Sequence, residues 1–512
     1  MEEKNLQYYI NKYNETNKIL RAYGYANYLS NWDAETTAAF GTIQSRGDVV
    51  GTLSELSYKL STSAEYTETI DYLFDHRDEL DDILKHEIYE MKKNNEAQKK
   101  IPMEDFVAFS QLLNEVYPVY VKAKNEDNYD LFAPYLEKII EFKKKQIKYL
   151  EKDNKFNNYK GYDLLLDSFE PDMTREEYDK FFGVLKEKLV PFIKKVTKKK
   201  LKYNKKFLNK KYASSIQFEY AKYLQDVMEF DPNYTVMRES EHPFTTGFGN
   251  KDVRITNHYH EDDVRSSIFS AIHEMGHGLY ELHVSDEVDK TLSGGGASMA
   301  MHESQSRFME NIIARKEVFW ETHFSKLQEL FPKELKGVNY HDFYLSVNEV
   351  KRDFIRTEAD ELTYPLHIMI RYELEKKIFS GKVKISELSN EWNKLYKKYL
   401  GIKVTNYKEG ILQDVHWAYG NFGYFPTYAL GSAYAAQFYN ALEKDVDVDK
   451  AIRSGKLTDI NNWLKEHIHK YGASLYPKEI IKLATKEDFN PNYYVDYLIN
   501  KYSKIYEIEE DK

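Results

Sequence analysis

Residues Ser267 to His283 read SIFSAIHEMGHGLYELH, with apolar positions Ile268, Phe269, Ile272, Leu279 and Leu282 spaced three and four apart or adjacent. That periodicity predicts a helix with a wide apolar face. Within it His273, Glu274 and His277 hold the H-E-x-x-H spacing. Helix residues four apart differ by about 40° in azimuth and about 6 Å in rise, so both imidazoles leave one face and can grip one ion. Glu274 sits about 100° further round than His273, placed to reach a water on that ion without ligating it. The pattern arises by accident in roughly one protein of this length in thirty, so the spacing needs support from its surroundings. The apolar flanks supply it. Two imidazoles and a carboxylate partly buried on such a helix need partners, and a divalent cation is one.

A third protein ligand has two candidates. His283 lies six residues beyond His277, but the motif that uses this spacing needs a glycine after the second histidine, and Tyr280 stands there. On an unbroken helix His283 points about 240° away from His277. Glu303, in MHESQSRFMEN, follows the glycine run Gly294 to Gly296 and opens a second amphipathic stretch through Phe308, Ile312 and Ile313. A flexible turn would let that helix fold back on the first and present Glu303. A lone helix carboxylate ordinarily faces solvent, so the residues alone leave its role open.

Working outward, the 512-residue chain contains no cysteine, which excludes disulfides, thiolate nucleophiles and cysteine-held metals. Any metal must be held by His, Asp or Glu. Gly 22 and Pro 12 are low counts for this length, so long helices are expected. From Asn5 to about Leu150 the pattern is helical, as in Leu136, Ile139, Ile140, Ile147 and Leu150. The segment His242 to Tyr259 has a different texture, with a proline, two glycines and alternating Val253 and Ile255, and predicts a hairpin or small sheet. No linker or repeat divides the chain, which reads as one domain over 1–512.

The net charge of −10 argues against a nucleic-acid or acidic-membrane partner. Ten of the eighteen residues from Lys194 to Lys211 are lysine, which reads as a solvated face. The opening MEEKNLQYYINKY has no apolar signal core, and nowhere do 18 apolar residues run together, so a cytoplasmic protein without a membrane partner is expected.

Seven ordered segments carry a resemblance: HPF at His242 to Phe244, DVRIT at Asp252 to Thr256, the HEMGH helix, HESQ at His302 to Gln305, IRTEAD at Ile355 to Asp360, GILQDVHW at Gly410 to Trp417, and GYFPTY at Gly423 to Tyr428. Weaker likeness reaches Trp32-Asp33 and YDLLLDSFEP at Tyr162 to Pro171. The chain resembles the carboxypeptidase Taq family of metallocarboxypeptidases. The resemblance implies a mainly α fold with a small sheet beside the HExxH helix and a deep central groove, roofed by N-terminal helices within 1–150, with the catalytic motifs in 240–430. It further implies a homodimer, removal of C-terminal residues from peptides with broad specificity, and Glu303 as third ligand.

With His273, His277 and Glu303 holding zinc, or cobalt in its place, a fourth position is left for water. Glu274 is then the expected general base. The donor to the tetrahedral oxyanion is expected from Tyr424 or His416. Cutting only at a C-terminus calls for a cation on the terminal carboxylate, and Arg356, read here as lying on an apolar helix with Phe354, Ile355, Leu362 and Leu366, suits it. Its alternative is an ion pair with Asp360. Arg254 is a second candidate for that cation but is read instead as bracing a carboxylate such as Asp252 or Glu261, on a strand forming the edge that pairs with the extended peptide. His258 and His260, on one face of a strand, offer a second-metal reading that lacks acidic partners.

Overall fold

The computed structural model describes residues 5–509. It opens with α1 (Leu6–Thr36), α2 (Ile43–Ser61), α3 (Ala64–Asp75), α4 (Asp82–Lys99), α5 (Met103–Asn125) and α6 (Tyr129–Glu151), as the periodicity predicts. The Asn5, Ser63 and Asp81 side chains accept first-turn N–H groups and so start α1, α3 and α4. α1 alone runs 31 residues. Tyr9, Tyr13, Tyr66, Ile70, Leu73 and Ile88 form a small apolar cluster among α1, α3 and α4. The next two helices pack elsewhere: Val116, Tyr120, Leu136, Ile139, Ile140 and Ile147 join the main core, which extends to Tyr506.

α7 (Asp163–Asp167), α8 (Arg175–Val196) and α9 (Ser214–Val227) follow. The lysine run covers the end of α8 and the loop beyond it. All ten lysines are exposed, while Val196 and Phe207 between them are buried.

The expected hairpin is present, and a third strand joins it. β1 (Thr235–Glu239), β2 (Thr245–Gly247) and β3 (Val253–Asn257) form a sheet in the order β1-β3-β2. β3 runs parallel to β1, with Thr235 opposite Val253, and antiparallel to β2, with Thr245 opposite Ile255. The strand bearing Arg254 is therefore central, which corrects its reading as a peptide-binding edge. The free edge beside the hairpin belongs to β2. Thr256 N–H donates to the Phe244 carbonyl (2.8 Å) and Phe248 N–H to the Asp252 carbonyl (2.9 Å). By antiparallel alternation the backbone groups of Thr245 and Gly247 then point away from β3.

α10 (Val264–Leu282) carries HEMGH and is buried nearly all round, by β3, α9 and the later helices. After α11 (Asp286–Asp289) and the glycine run come α12 (Met299–Arg307) and a π-helical turn (Phe308–Ile313). Then follow α13 (Glu317–Leu330), α14 (Tyr340–Val347), α15 (Tyr364–Phe379), α16 (Leu388–Tyr399), α17 (Phe425–Leu442), α18 (Val448–Arg453), α19 (Thr458–His467), α20 (Pro477–Thr485) and α21 (Asn492–Tyr506). α1 lies over the hairpin: Tyr25 and Tyr28 hydroxyls donate to Asp252 at 3.4 and 3.3 Å, and Trp32 meets the Phe244 ring edge-on. Among the described residues no helix is long and apolar enough to cross a membrane.

Candidate metal centre

His273 and His277 lie one turn apart on α10, with ring centroids 4.8 Å apart. α12 brings Glu303 to them, its Oε2 3.9 Å from His273 Nε2 and 3.6 Å from His277 Nε2. Ligands on a tetrahedral ion at about 2.05 Å stand about 3.4 Å apart, and the three ligand atoms here lie within 4.8 Å of one another, so they fit a single divalent ion once they close on it. Glu303 is 6% exposed, which removes the solvent-facing reading. Two glycines permit the approach. A Cβ at Gly276, inside HEMGH, would lie 2.7 Å from the Gln305 carbonyl and the Ser306 Cα; one at Gly431 on α17 would lie 2.8 Å from Glu303 Cβ.

The surrounding hydrogen bonds select the ring tautomers. His273 Nδ1 is 2.9 Å from Glu310 Oε2, so Nδ1 donates and Nε2 keeps its lone pair toward Glu303. Burial alone would lower the His273 pKa, but Glu310 and Glu303 raise it overall. Burial raises the Glu310 carboxyl, yet Arg307, His273 and Arg315 together hold it well below the usual range. On the other ring, His277 Nδ1 is 2.7 Å from His302 Nδ1, and His302 Nε2 is 2.7 Å from Glu281 Oε1. Glu281 fixes the proton on His302 Nε2, leaving His302 Nδ1 to accept from His277 Nδ1–H. The second Nε2 lone pair thus also points at the site. Burial, with His302 and His273 beside it, holds His277 neutral by pushing its pKa well down.

Glu274 is 7% exposed and does not join the three ligand atoms. The Thr245 hydroxyl on β2 reaches both its Oε2 (2.6 Å) and its carbonyl (2.9 Å). Burial pushes this carboxyl above the usual range, with His273 opposing.

Arg356, His416 and Tyr424 gather nearby, but not as expected. Arg356 lies in a 3₁₀ turn (Arg356–Glu358), not on an apolar helix. Its partner is Asp414, at 3.0 Å from Nε and 2.9 Å from Nη2, not Asp360. Asp360 is occupied elsewhere: it accepts the N–H groups of Lys351, Leu362 and Thr363 at 3.0 Å each and the Thr363 hydroxyl at 2.7 Å. Asp414 also takes Arg371 Nε at 2.7 Å. The Arg356 guanidinium lies over the Tyr428 ring (4.8 Å) and donates to the Tyr364 hydroxyl (3.1 Å). His416 Nε2 pairs with the Tyr428 hydroxyl at 3.2 Å, and among the described residues its buried Nδ1 has no partner. Burial and then Arg356 push its pKa down to about 4. The Tyr424 ring lies 5.4 Å from that of His416. Burial raises the Tyr424 hydroxyl, and the Glu303 carboxylate adds to the effect.

Other candidates fall away. Arg254 braces Asp252, bidentate at 2.7 and 2.8 Å. His258 turns its Nδ1 to the Ser240 carbonyl (2.9 Å), and among the described residues only His273, His277 and Glu303 form a group of three metal-type side chains. His283 pairs with His469 at 3.0 Å, away from the ligands. The sequence reading missed Glu310, His302, Glu281 and Thr245. Only His302, inside HESQ, carried a signal.

This geometry defines a class, a metal-dependent hydrolase in which two imidazoles and a carboxylate face one point beside a buried glutamate. The chain belongs to the carboxypeptidase Taq (M32) metallopeptidase family, whose model matches residues 12–502. It is 41% identical to carboxypeptidase 1 of Bacillus subtilis over 96% of this chain and 97% of that one. It is 34% identical to thermostable carboxypeptidase 1 of Pyrococcus furiosus over 94% of this chain and 96% of the other. The crystal structure of an M32 carboxypeptidase from Deinococcus radiodurans superposes with a TM-score of 0.92 at 30% identity, covering 98% of this chain and all of that one. The protein is a metallocarboxypeptidase, and its family implies a divalent metal.

Proposed function

We propose that the chain is a single-domain cytoplasmic enzyme, acting as a homodimer, that removes C-terminal residues of broad type from peptides with one zinc per chain. The observation that carries this reading is the convergence of three ligand atoms within 4.8 Å of one another, with Glu274 on the same helical turn. His273, His277 and Glu303 would hold the ion, and cobalt suits the same donors. When bound, the ion would supply Lewis acidity toward the attacking water and the scissile carbonyl.

Glu274 accepts the water proton and returns it to the leaving amine. Its Thr245 hydrogen bond keeps the carboxylate aimed. The Arg356 guanidinium takes the terminal carboxylate, sharing its charge with Asp414. His416, through its unpartnered Nδ1, or Tyr424 donates to the oxyanion. The substrate backbone pairs with the free edge of β2 through Thr245 and Gly247.

A peptide and its C-terminal amide separate this from internal cleavage. The free acid is shortened one residue at a time in a mass ladder and the amide is spared. Equal internal cutting of both would contradict the reading.

A further inference from the structure

The segment YDLLLDSFEP carries, one residue before its end, a carboxylate that the chemistry above does not use. Glu170 has no solvent exposure. Its Oε2 accepts the N–H of Ala300 (3.1 Å), and its Oε1 accepts the hydroxyl of Tyr434 (3.0 Å). One buried carboxylate thus ties the first turn of α12 to α17.

These anchor points are in register with the metal centre. On α12, Glu303 follows Ala300 by three residues, one turn along the same face. On α17, Tyr434 follows Gly431 by three. Gly431 is where α17 presses on Glu303: a Cβ there would stand 2.8 Å from Glu303 Cβ and 2.9 Å from the Ala300 carbonyl. The two helices therefore touch through two adjacent rungs, Ala300–Glu170–Tyr434 and Glu303–Gly431. The glycine rung sets how close they come but presents no group to fix rotation or sliding. The Glu170 rung is directional, because two hydrogen bonds to groups on different helices set both. α12 begins at Met299, three residues beyond the glycine run, and the Glu170 carboxylate binds its first turn at Ala300 N–H.

We infer that Glu170 is a positioning residue for the metal centre, holding α12 in the register that puts Glu303 opposite His273 and His277. This rests on the assignment of those three residues as ligands. The wild-type protein is therefore measured first, and failure to bind one zinc per chain would defeat that assignment and not the role of Glu170.

The test compares Glu170→Leu, Glu170→Gln and Tyr434→Phe by chelator competition for zinc and by the visible d–d spectrum of the cobalt form. Glu170→Gln can still accept from Ala300 N–H and turn its amide toward the Tyr434 hydroxyl, so it should stay within about threefold of wild type. Glu170→Leu should lose about 10- to 100-fold in zinc affinity, the usual range for residues that orient ligands, and its cobalt bands should shift. Tyr434→Phe, which keeps the carboxylate and loses one tether, should lose affinity by a smaller factor. A folded Glu170→Leu protein with wild-type affinity and unshifted bands would overturn the inference. Should that variant fail to fold, unchanged affinity and bands in Tyr434→Phe would overturn it equally.

Discussion

His277 Nδ1 stands 2.7 Å from His302 Nδ1, and the far nitrogen of His302 stands 2.7 Å from Glu281, so a carboxylate sets the tautomer of a metal-facing imidazole through a second imidazole. The other ring reaches its carboxylate, Glu310, directly. The two histidines of one motif are thus oriented by different devices on different elements.

Replacing His302 by Phe should leave His277 Nδ1–H without an acceptor and weaken zinc binding by about 10- to 100-fold. Chelator competition measures it. Affinity equal to wild type would mean that His277 is oriented without His302.

Arg356→Gln should raise KM for peptides with a free C-terminus by about 10- to 100-fold, matching loss of a charge-assisted hydrogen bond of about 1.5–3 kcal/mol. Discrimination against the C-terminal amide should shrink with it. Steady-state kinetics on the paired substrates checks both, and unchanged discrimination would remove Arg356 from the carboxylate site.

Asp414 is the shared partner of Arg356 and Arg371, and Arg371 has no solvent exposure. Asp414→Asn leaves two buried guanidinium groups short of their counter-charge. A loss of about 3–5 kcal/mol is expected in denaturant unfolding.

Glu375 accepts Trp417 Nε1–H and Gly423 N–H at 2.7 Å each, as well as the Tyr162 hydroxyl, and burial pushes its carboxyl up to about 7. A folded value above the unfolded one, near 4.3, means the native state binds more protons in between. Its contribution is complete below the unfolded value and is lost as pH rises through about 7. Glu375→Gln should therefore flatten the fall of stability between pH 4 and 8, by up to ~4 kcal/mol. Unfolding of both proteins across that range measures the difference in slope.

The α10 helix and its motif were legible because a 3.6-residue period reports both helix and facing side chains. Glu303 was a candidate from the glycine run and was fixed as the expected third ligand only by family likeness. What escaped reading depends on contacts between distant segments. β3 reads as an edge in the sequence because β1, a short segment with little alternation, gives no sign that it pairs on the far side. The apolar spacing around Arg356 predicts a helix there, but Asp360 binds three backbone N–H groups with its carboxylate and ends that pattern. Glu310 follows Glu303 by seven residues, and its pairing with His273 depends on the π-helical turn that carries it, which no periodicity announces.

The central claim is that Glu274 works on water at an ion held by His273, His277 and Glu303. Zinc content and peptide turnover measured together in wild type, Glu274→Gln and Glu303→Ala test it most directly. The prediction is one zinc per chain in wild type, the same zinc with turnover abolished in Glu274→Gln, and loss of both in Glu303→Ala. Substantial turnover by Glu274→Gln, or full zinc retention by Glu303→Ala, would contradict it.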